Sequence, residues 1–250
     1  MQRLQGVLVR LYGDLADWWP VLCPPELVED EAYAVLDLLQ WAAKRPVRSL
    51  LELGSGTGAL ATHIHPAVEV VLLDGSPQML EVSRGLNPDR EHIEADMRSL
   101  SLSREFDAVL LHDAVMYLTS AEDVEATLRV SAAHLAPGGA LLIAPDTIEE
   151  TFHEGTVSLE ATSQDGRSAH LTEWHWDPDP TDGITRVEFS LLLREPGASV
   201  VSVHESHELG LHSRAVLEHA IASCGLVLVQ VPLEREGSLN IPFLAYKPMD

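Results

Sequence analysis

The run Leu50-Leu51-Glu52-Leu53-Gly54-Ser55-Gly56-Thr57-Gly58 limits what this chain can fold into more than any other. It is an apolar strand that ends in three alternating glycines. Glycine is required where backbone takes a positive φ or must lie against a ligand, and a helix opening behind such a turn presents unpaired N–H groups. The run therefore predicts a buried strand, a tight turn and a ligand at that turn. The alternative is a tight turn with no ligand. Taken literally, Gly54 to Ala59 also satisfies the dinucleotide pattern GxGxxG/A, so the turn alone does not choose between nucleotides.

The rest of the chain continues the rhythm. Apolar runs at Ser49 to Leu53, Val68 to Leu73, Phe106 to Leu111 and Ala140 to Ala144 read as strands, with a further one at Glu91 to Ala95. Helical patterns fall at about 59–65, 76–86 and 121–135, the last closed by Pro137-Gly138-Gly139. Strands alternating with helices predict a parallel sheet, because each right-handed crossover needs about a helix's length of chain. Before the first strand, Leu4, Val7, Leu8 and Leu11 repeat at helical spacing, and Leu27 to Ala43 forms a second helical run after Pro24-Pro25. After Thr147 the texture becomes β-rich: Thr156 to Ser163, Ser168 to Trp176, Ile184 to Leu193 and Ser199 to Leu209 are divided by turn residues. The βα rhythm returns with a helix at about Arg214 to Cys224 and strands at Leu226 to Val231 and Ile241 to Tyr246.

Charge narrows the partners. With 16 Lys+Arg against 39 Asp+Glu in 250 residues, the formal net charge is −23. Such a chain lacks the basic footprint that releases counterions from nucleic acid, and it is repelled by anionic membranes, so small molecules are the expected partners. No stretch approaches the length of a membrane span. Cys23 and Cys224 form no CxxC or Cys/His cluster, so neither a structural zinc site nor an oxidising compartment is called for, and a reduced cytoplasm is expected. No metal is expected.

Carboxylates at the strand ends separate the candidate nucleotides. Asp74 ends the second strand 20 positions after Gly54, where it can accept from a ribose diol or cap the following helix. Glu52 lies two residues before the first glycine, where its charge favours a cationic ligand over a pyrophosphate. Asp96-Met97 follows the third strand, where a carboxylate can accept from an adenine amino group. With the Leu135-Ala136-Pro137-Gly138-Gly139 turn before the fifth strand, these features resemble the class I S-adenosylmethionine-dependent methyltransferases over about residues 47 to 145. The resemblance implies that S-adenosylmethionine is the cofactor. It places Glu52 near the cofactor's amino acid end, Gly54, Gly56 and Gly58 against it, Asp74 on the ribose, and Asp96 with the Met97 backbone on adenine. Ser55, Gly75, Ser76, Met79, His112 and Tyr117 complete the expected cofactor set.

The acceptor side is similar to the small-molecule branch that includes deoxysugar N,N-dimethyltransferases, through Tyr12 near the N-terminus, Glu149-Glu150-Thr151-Phe152 after the fifth strand, and His207 late in the β-rich region. His207, His112 and Tyr12 are the expected catalytic residues, His207 and His112 as proton acceptors with an ordinary pKa of about 6.5. The alternatives are an exposed strand histidine and a helix-capping or cofactor-lining one. Tyr117 reads equally as core. Trp174 and Trp176 share one strand face, which is either sheet core or an aromatic acceptor wall; core is expected.

These readings predict an α/β fold: a doubly wound, mostly parallel seven-strand Rossmann-like methyltransferase sheet with an N-terminal helical lid and an antiparallel β insertion. The expected division is lid 1–46, cofactor-binding core 47–146, insertion over the active site 147–212, and closing helix with two strands 213–250. The expected activity is methyl transfer to nitrogen or oxygen of a small-molecule acceptor. The exposed sheet of the insertion leaves room for two chains to pair as a homodimer. A nicotinamide-dependent oxidoreductase is the first alternative, disfavoured because residues after 147 do not repeat the βαβ pattern. A non-catalytic cofactor-binding protein on the same fold is the second.

Overall fold

The computed structural model describes residues 10–231, 239 and 241–249. Leu4, Val7 and Leu8 of the first expected helix lie outside the described residues. From Arg10 the chain makes tight turns, including one at Ala16–Trp18, followed by a single helical turn α1 (Trp19–Leu22). A 3-10 turn at Pro25–Val28 then leads into α2 (Glu29–Ala42). Helix α2 buries Ala32, Val35, Leu38, Leu39 and Ala42, a stripe at three- and four-residue spacing.

The central sheet contains β1 (Ser49–Leu53), β2 (Glu69–Asp74), β3 (Glu91–Glu94), β4 (Phe106–His112), β5 (Leu135–Ala144), β10 (Val227–Val229) and β11 (Phe243–Tyr246), in the order β10-β11-β5-β4-β1-β2-β3. Strands β3, β2, β1, β4 and β5 run parallel, whereas β11 is antiparallel to both of its neighbours. This is the expected doubly wound, mostly parallel seven-strand sheet. The pleat sorts its side chains to two faces. Leu51, Leu53, Val109, Leu111, Leu141 and Ile143 pack with α4 (Ala121–His134) and α5 (Arg214–Ser223), while Leu50, Leu72, Ala108, Leu110 and Leu142 pack with α2. Helix α3 (Pro77–Leu86) starts on Ser76, whose hydroxyl accepts from Met79 N at 3.1 Å.

Two local expectations differ from the structure. The helix expected at 59–65 is one 3-10 turn, Leu60–His63, closed by Ile64 N donating to Ala61 O at 3.2 Å. Pro66 stands two residues beyond Ile64, and the residue before a proline is steered out of the helical region. Strand β5 begins at Leu135 rather than Ala140, so Pro137-Gly138-Gly139 lies within its first half, with a register irregularity opposite Phe106 and Ala108.

The β-rich region is a separate four-strand antiparallel sheet, β6 (Gly155–Thr162), β7 (Ser168–Trp176), β8 (Ile184–Arg194) and β9 (Val201–Gly210), paired in sequence order. Its inner face, including Leu171, Val187, Phe189, Leu191 and Val203, packs on Leu11, Leu15, Trp18, Val21 and Leu22. The N-terminal segment is thus held by the second sheet. Trp174 corrects one expectation: it is 59% exposed on the outer face, and the neighbours that alternate with it, Glu173 and His175, are half-buried. At this end of β7 the inner face is polar.

Candidate active site

The chain order reverses between β1 and β4, and in open α/β sheets a crevice lies beyond the carboxyl ends of the strands at such a switch point. Here it holds a cavity of about 1000 Å³, at the upper end of the size range for small-molecule sites. Residues from the strand ends β1, β2, β3 and β4 form its floor, and Tyr12, Trp19 and Cys23 of the N-terminal segment close one side.

The glycine turn forms one wall. Gly54, Gly56 and Gly58 have φ of 73°, 55° and 66°, a conformation other residues rarely adopt. A Cβ on Gly58 would fall 2.5 Å from Ser83 Oγ and 2.8 Å from Asn87 Nδ2, so Gly58 lets α3 approach. A Cβ on Gly56 would meet only Met79 Cε, at 3.4 Å, and Gly56 lines the cavity. Asp74 ties this turn to the next: its carboxylate accepts from Gly56 N at 2.8 Å and from Ser76 N at 2.7 Å. Burial raises the Asp74 carboxyl, while the N–H groups of Ser76, Gly56 and Gly75 oppose the shift. Two buried oxygens on this wall, Glu52 Oε2 and Ser55 Oγ, lack a protein hydrogen-bond partner. Buried polar atoms are nearly always paired, so a ligand with donor groups fits here. S-adenosylmethionine has an ammonium on its amino acid part and a ribose diol, and the cradle accommodates such a molecule.

A second wall is acidic, and strand parity explains why. Glu52 follows Leu50 by two residues on the face that packs with α2, and His112 follows Leu110 in the same way on β4. His112 therefore reaches α2, where its Nε2 lies 3.1 Å from Glu31 Oε1, and its Nδ1 lies 3.4 Å from Asp113 Oδ2. Burial disfavours the imidazolium, but the Glu31 hydrogen bond and the charges of Asp113, Glu31 and Glu52 outweigh it and push His112 up to about 9. Asp113 turns at φ 49°, the only non-glycine residue at positive φ among the described residues, and its carboxyl faces that of Asp146, beyond β5, in the cavity. Burial pushes Asp113 up to about 7 and also raises Asp146. Glu52, buried, rises to about 7 for the same reason.

The third wall is aromatic. Tyr12 stacks on Trp19 at 5.6 Å between centroids, and its hydroxyl is hydrogen-bonded to that of Tyr117. Tyr117 Oη lies 3.0 Å from His207 Nδ1, and His207 Nε2 is bonded to Glu205 Oε1. Glu205 also accepts from Arg10 N at 2.8 Å and from Leu11 N. With Nε2 donating to Glu205, Nδ1 is left to accept from the Tyr117 hydroxyl, an assignment made from the hydrogen-bond network. Burial raises both phenols well above their usual range, so they stay protonated at neutral pH.

The structure brings most of the expected site together. Tyr12, Glu52, Gly54, Ser55, Gly56 and Asp74 line the cavity, as do Gly75, Ser76, Met79, Met97, His112 and Tyr117. Three expected residues do not. Gly58 lies behind the turn, Asp96 is paired with Arg98 at 2.7 Å, and the His207 side chain is fully buried behind Tyr117. Sequence reasoning gave no role to Glu31, Asp146 or Glu205. Glu31 reads as an ordinary acid in a helix's first turn, and only the parity of β4 reveals its partner. Glu150, singled out earlier, accepts from Arg214 N at 3.0 Å beside the start of α5.

A methyltransferase-domain family model matches residues 50–139. A dTDP-3-amino-3,4,6-trideoxy-alpha-D-glucopyranose N,N-dimethyltransferase from Streptomyces venezuelae is 31% identical over 199 residues, covering 78% of this chain and 82% of that protein. Among solved structures, DesVI of Streptomyces venezuelae superposes with a TM-score of 0.81 at 26% identity, over 94% of this chain and 97% of the other. An S-adenosylmethionine-bound amino pentose methyltransferase from Micromonospora echinaspora gives 0.71 at 27% identity, over 88% and 91%.

Proposed function

Since this chain belongs to the S-adenosylmethionine-dependent methyltransferase family, we propose that it methylates the nitrogen of an amine-bearing small molecule of the amino-sugar class. The nicotinamide and non-catalytic alternatives fall away with the family. The charge of the cavity carries the choice of nitrogen. Glu31, Glu52, Asp74, Asp113 and Asp146 line it against one cationic imidazole, His112, which is bonded to Glu31, whereas Arg10 and Arg98, its arginines among the described residues, are paired with Asp14 at 2.8 Å and with Asp96 and Asp123. Such a cavity attracts an ammonium and gives a neutral hydroxyl no advantage. The relatives' names, which specify amino sugars, point the same way.

In this reading Gly54, Ser55, Gly56, Asp74, Ser76 and Met97 hold the cofactor, with Glu52 toward its amino acid end. The bound cofactor supplies an electrophilic methyl on a sulfonium. The protein's own part is alignment and exclusion of water, because in-line displacement depends chiefly on approach geometry. Tyr12 and Tyr117 close the cavity over the reacting centre. His207 and Glu205 hold Tyr117 from behind, so His207 acts as a positioning residue.

The test is incubation with methyl-labelled cofactor and a panel of amino sugars matched to their hydroxyl counterparts, with products located by mass spectrometry. Label on nitrogen is expected; label confined to hydroxyl acceptors refutes the proposal.

A further inference from the structure

Asp113 and Asp146 play no part in holding the glycine turn or the aromatic chain, yet they meet in the cavity. They come from the ends of neighbouring parallel strands, β4 and β5, whose register sets His112 beside Ala144. Asp113 N donates to Ala144 O at 2.9 Å, which fixes the left-handed turn that carries the Asp113 carboxyl toward Asp146. The Asp113 side chain remains 48% open, and this opening faces the cavity, so the carboxyl is surrounded by protein but reachable by a ligand. A second observation points to a ligand. Glu52, 4% exposed and lining the same cavity, holds an oxygen with no hydrogen-bond partner. In the reading above the cofactor's ammonium supplies the missing donor, and His112 faces both Glu52 and Asp113, so the carboxyl pair lies next to the bound cofactor.

We propose that the Asp113–Asp146 carboxyl pair is the acceptor's ammonium site and takes the proton that nitrogen must lose before methylation. This rests on the N-methylation reading. Two carboxyl groups that face each other at neighbouring strand ends and are both raised by burial share one proton, as in other carboxyl dyads. An ammonium entering the cavity displaces that proton and becomes the cation between two carboxylates. The ammonium N–H bond then breaks, an O–H bond forms on the pair, and the pair returns to its singly protonated state. Nitrogen keeps the electron pair it needs to bond the methyl carbon, while the carbon–sulfur electrons stay on sulfur.

The surrounding groups suit this cycle. His112 and Glu31 face both carboxyls, Glu173 of β7 faces Asp146, and Cys23 and Tyr12 of the N-terminal segment face Asp113. Of these only His112 is cationic near neutrality; it lies 3.1 Å from Glu31 and 3.4 Å from Asp113 and lowers both carboxyls of the pair, but burial and the neighbouring carboxylates outweigh it. The field around the pair therefore stays negative and favours proton uptake near pH 7, where an amine gives up a proton most readily to a group of similar affinity.

The test uses protein loaded with S-adenosylhomocysteine, titrated calorimetrically with methyl 3-amino-3-deoxyglucopyranoside and with methyl glucopyranoside, in buffers of different ionisation enthalpy. The amine should bind with proton release near pH 6 and proton uptake near pH 8.5; an amine bound as the neutral base gives no uptake at the higher pH. Asp113→Asn and Asp146→Asn should each remove the uptake and weaken amine binding roughly thirtyfold, the scale for breaking a buried charge pair. Asn tolerates the left-handed region, so Asp113→Asn keeps the turn, and S-adenosylhomocysteine binding checks the fold of both variants. Absence of uptake in the wild-type protein, amine affinity no better than the hydroxyl glycoside's, or variants within threefold of wild type would overturn the proposal. An N-methyl product whose pH–rate profile is the same in Asp146→Asn and wild type overturns it alone; an O-methyl product overturns it together with the N-methylation reading.

Discussion

Two glycines two residues apart should respond to the same substitution in opposite ways. Gly56→Ala and Gly58→Ala both force alanine into the left-handed region, at about 1–2 kcal/mol each. Gly58 bears a further cost, because its new Cβ would sit 2.5 Å from Ser83 Oγ and 2.8 Å from Asn87 Nδ2. Neither neighbour can yield easily. Ser83 and Asn87 are 0% and 5% exposed, and Asn87 Nδ2 donates to Gly58 O at 2.9 Å. Overpacking of this kind adds about 1–3 kcal/mol. Gly58→Ala should therefore lose about 2–5 kcal/mol, which is about 4–20 °C in Tm for a chain of this size. Gly56→Ala should lose only the first part, since Met79 Cε is the flexible end of a side chain. Its methyl group instead enters the cavity, where S-adenosylhomocysteine affinity should fall roughly tenfold or more, on the scale of one lost close contact. Gly58→Ala, measured well below its Tm, should bind within about threefold of wild type. Differential scanning calorimetry and isothermal titration provide both readings. If Gly58→Ala bound more weakly than Gly56→Ala while melting at a higher temperature, the division into a packing glycine and a ligand glycine would be wrong.

Asp74→Ala removes the acceptor for Gly56 N and Ser76 N together with the expected ribose contact, so S-adenosylhomocysteine affinity should drop at least roughly tenfold, and unchanged calorimetric affinity removes the assignment. Tyr117→Phe and His207→Phe break the same chain at adjacent links, so each should lower kcat more than cofactor affinity, and the double variant should be little worse than either; additive losses would separate the two residues. Burial lifts Glu52 from an ordinary 4.5 to about 7, so the folded, ligand-free protein holds that proton more tightly than the unfolded chain, and this contribution to stability declines as pH rises from about 4.5 to about 7. Glu52→Gln removes that decline: its stability relative to wild type in urea should rise from pH 5 to pH 8 by up to about 3 kcal/mol, and a pH-independent difference contradicts the buried-carboxyl account.

Much of the fold was legible because it is written in local patterns. Strand β1 falls at the residues its apolar run marks, helices α3 and α4 begin on the capping residues Ser76 and Ser120, and the four strands of the insertion lie between the turn residues that divide them. The cofactor wall was legible for the same reason: the turn at Gly54 and the carboxylate at Asp74 are set by strand ends, and strand ends are local. Trp174 was misplaced because alternation states which residues share a face but not which face meets the core. That depends on what the sheet packs against, here the N-terminal segment.

By itself, then, the sequence determined a doubly wound sheet with a glycine cradle at its reversal point, since apolar period, turn residues and strand-end carboxylates act over a few residues. Only the tertiary structure decided who shares the cavity. It withdrew His207 behind Tyr117, turned Asp96 onto Arg98, and brought Glu31, His112, Asp113 and Asp146 together from three separate elements. Those meetings depend on parallel register and on the packing of α2 against one face of the sheet, and neither is encoded within any single stretch of the chain.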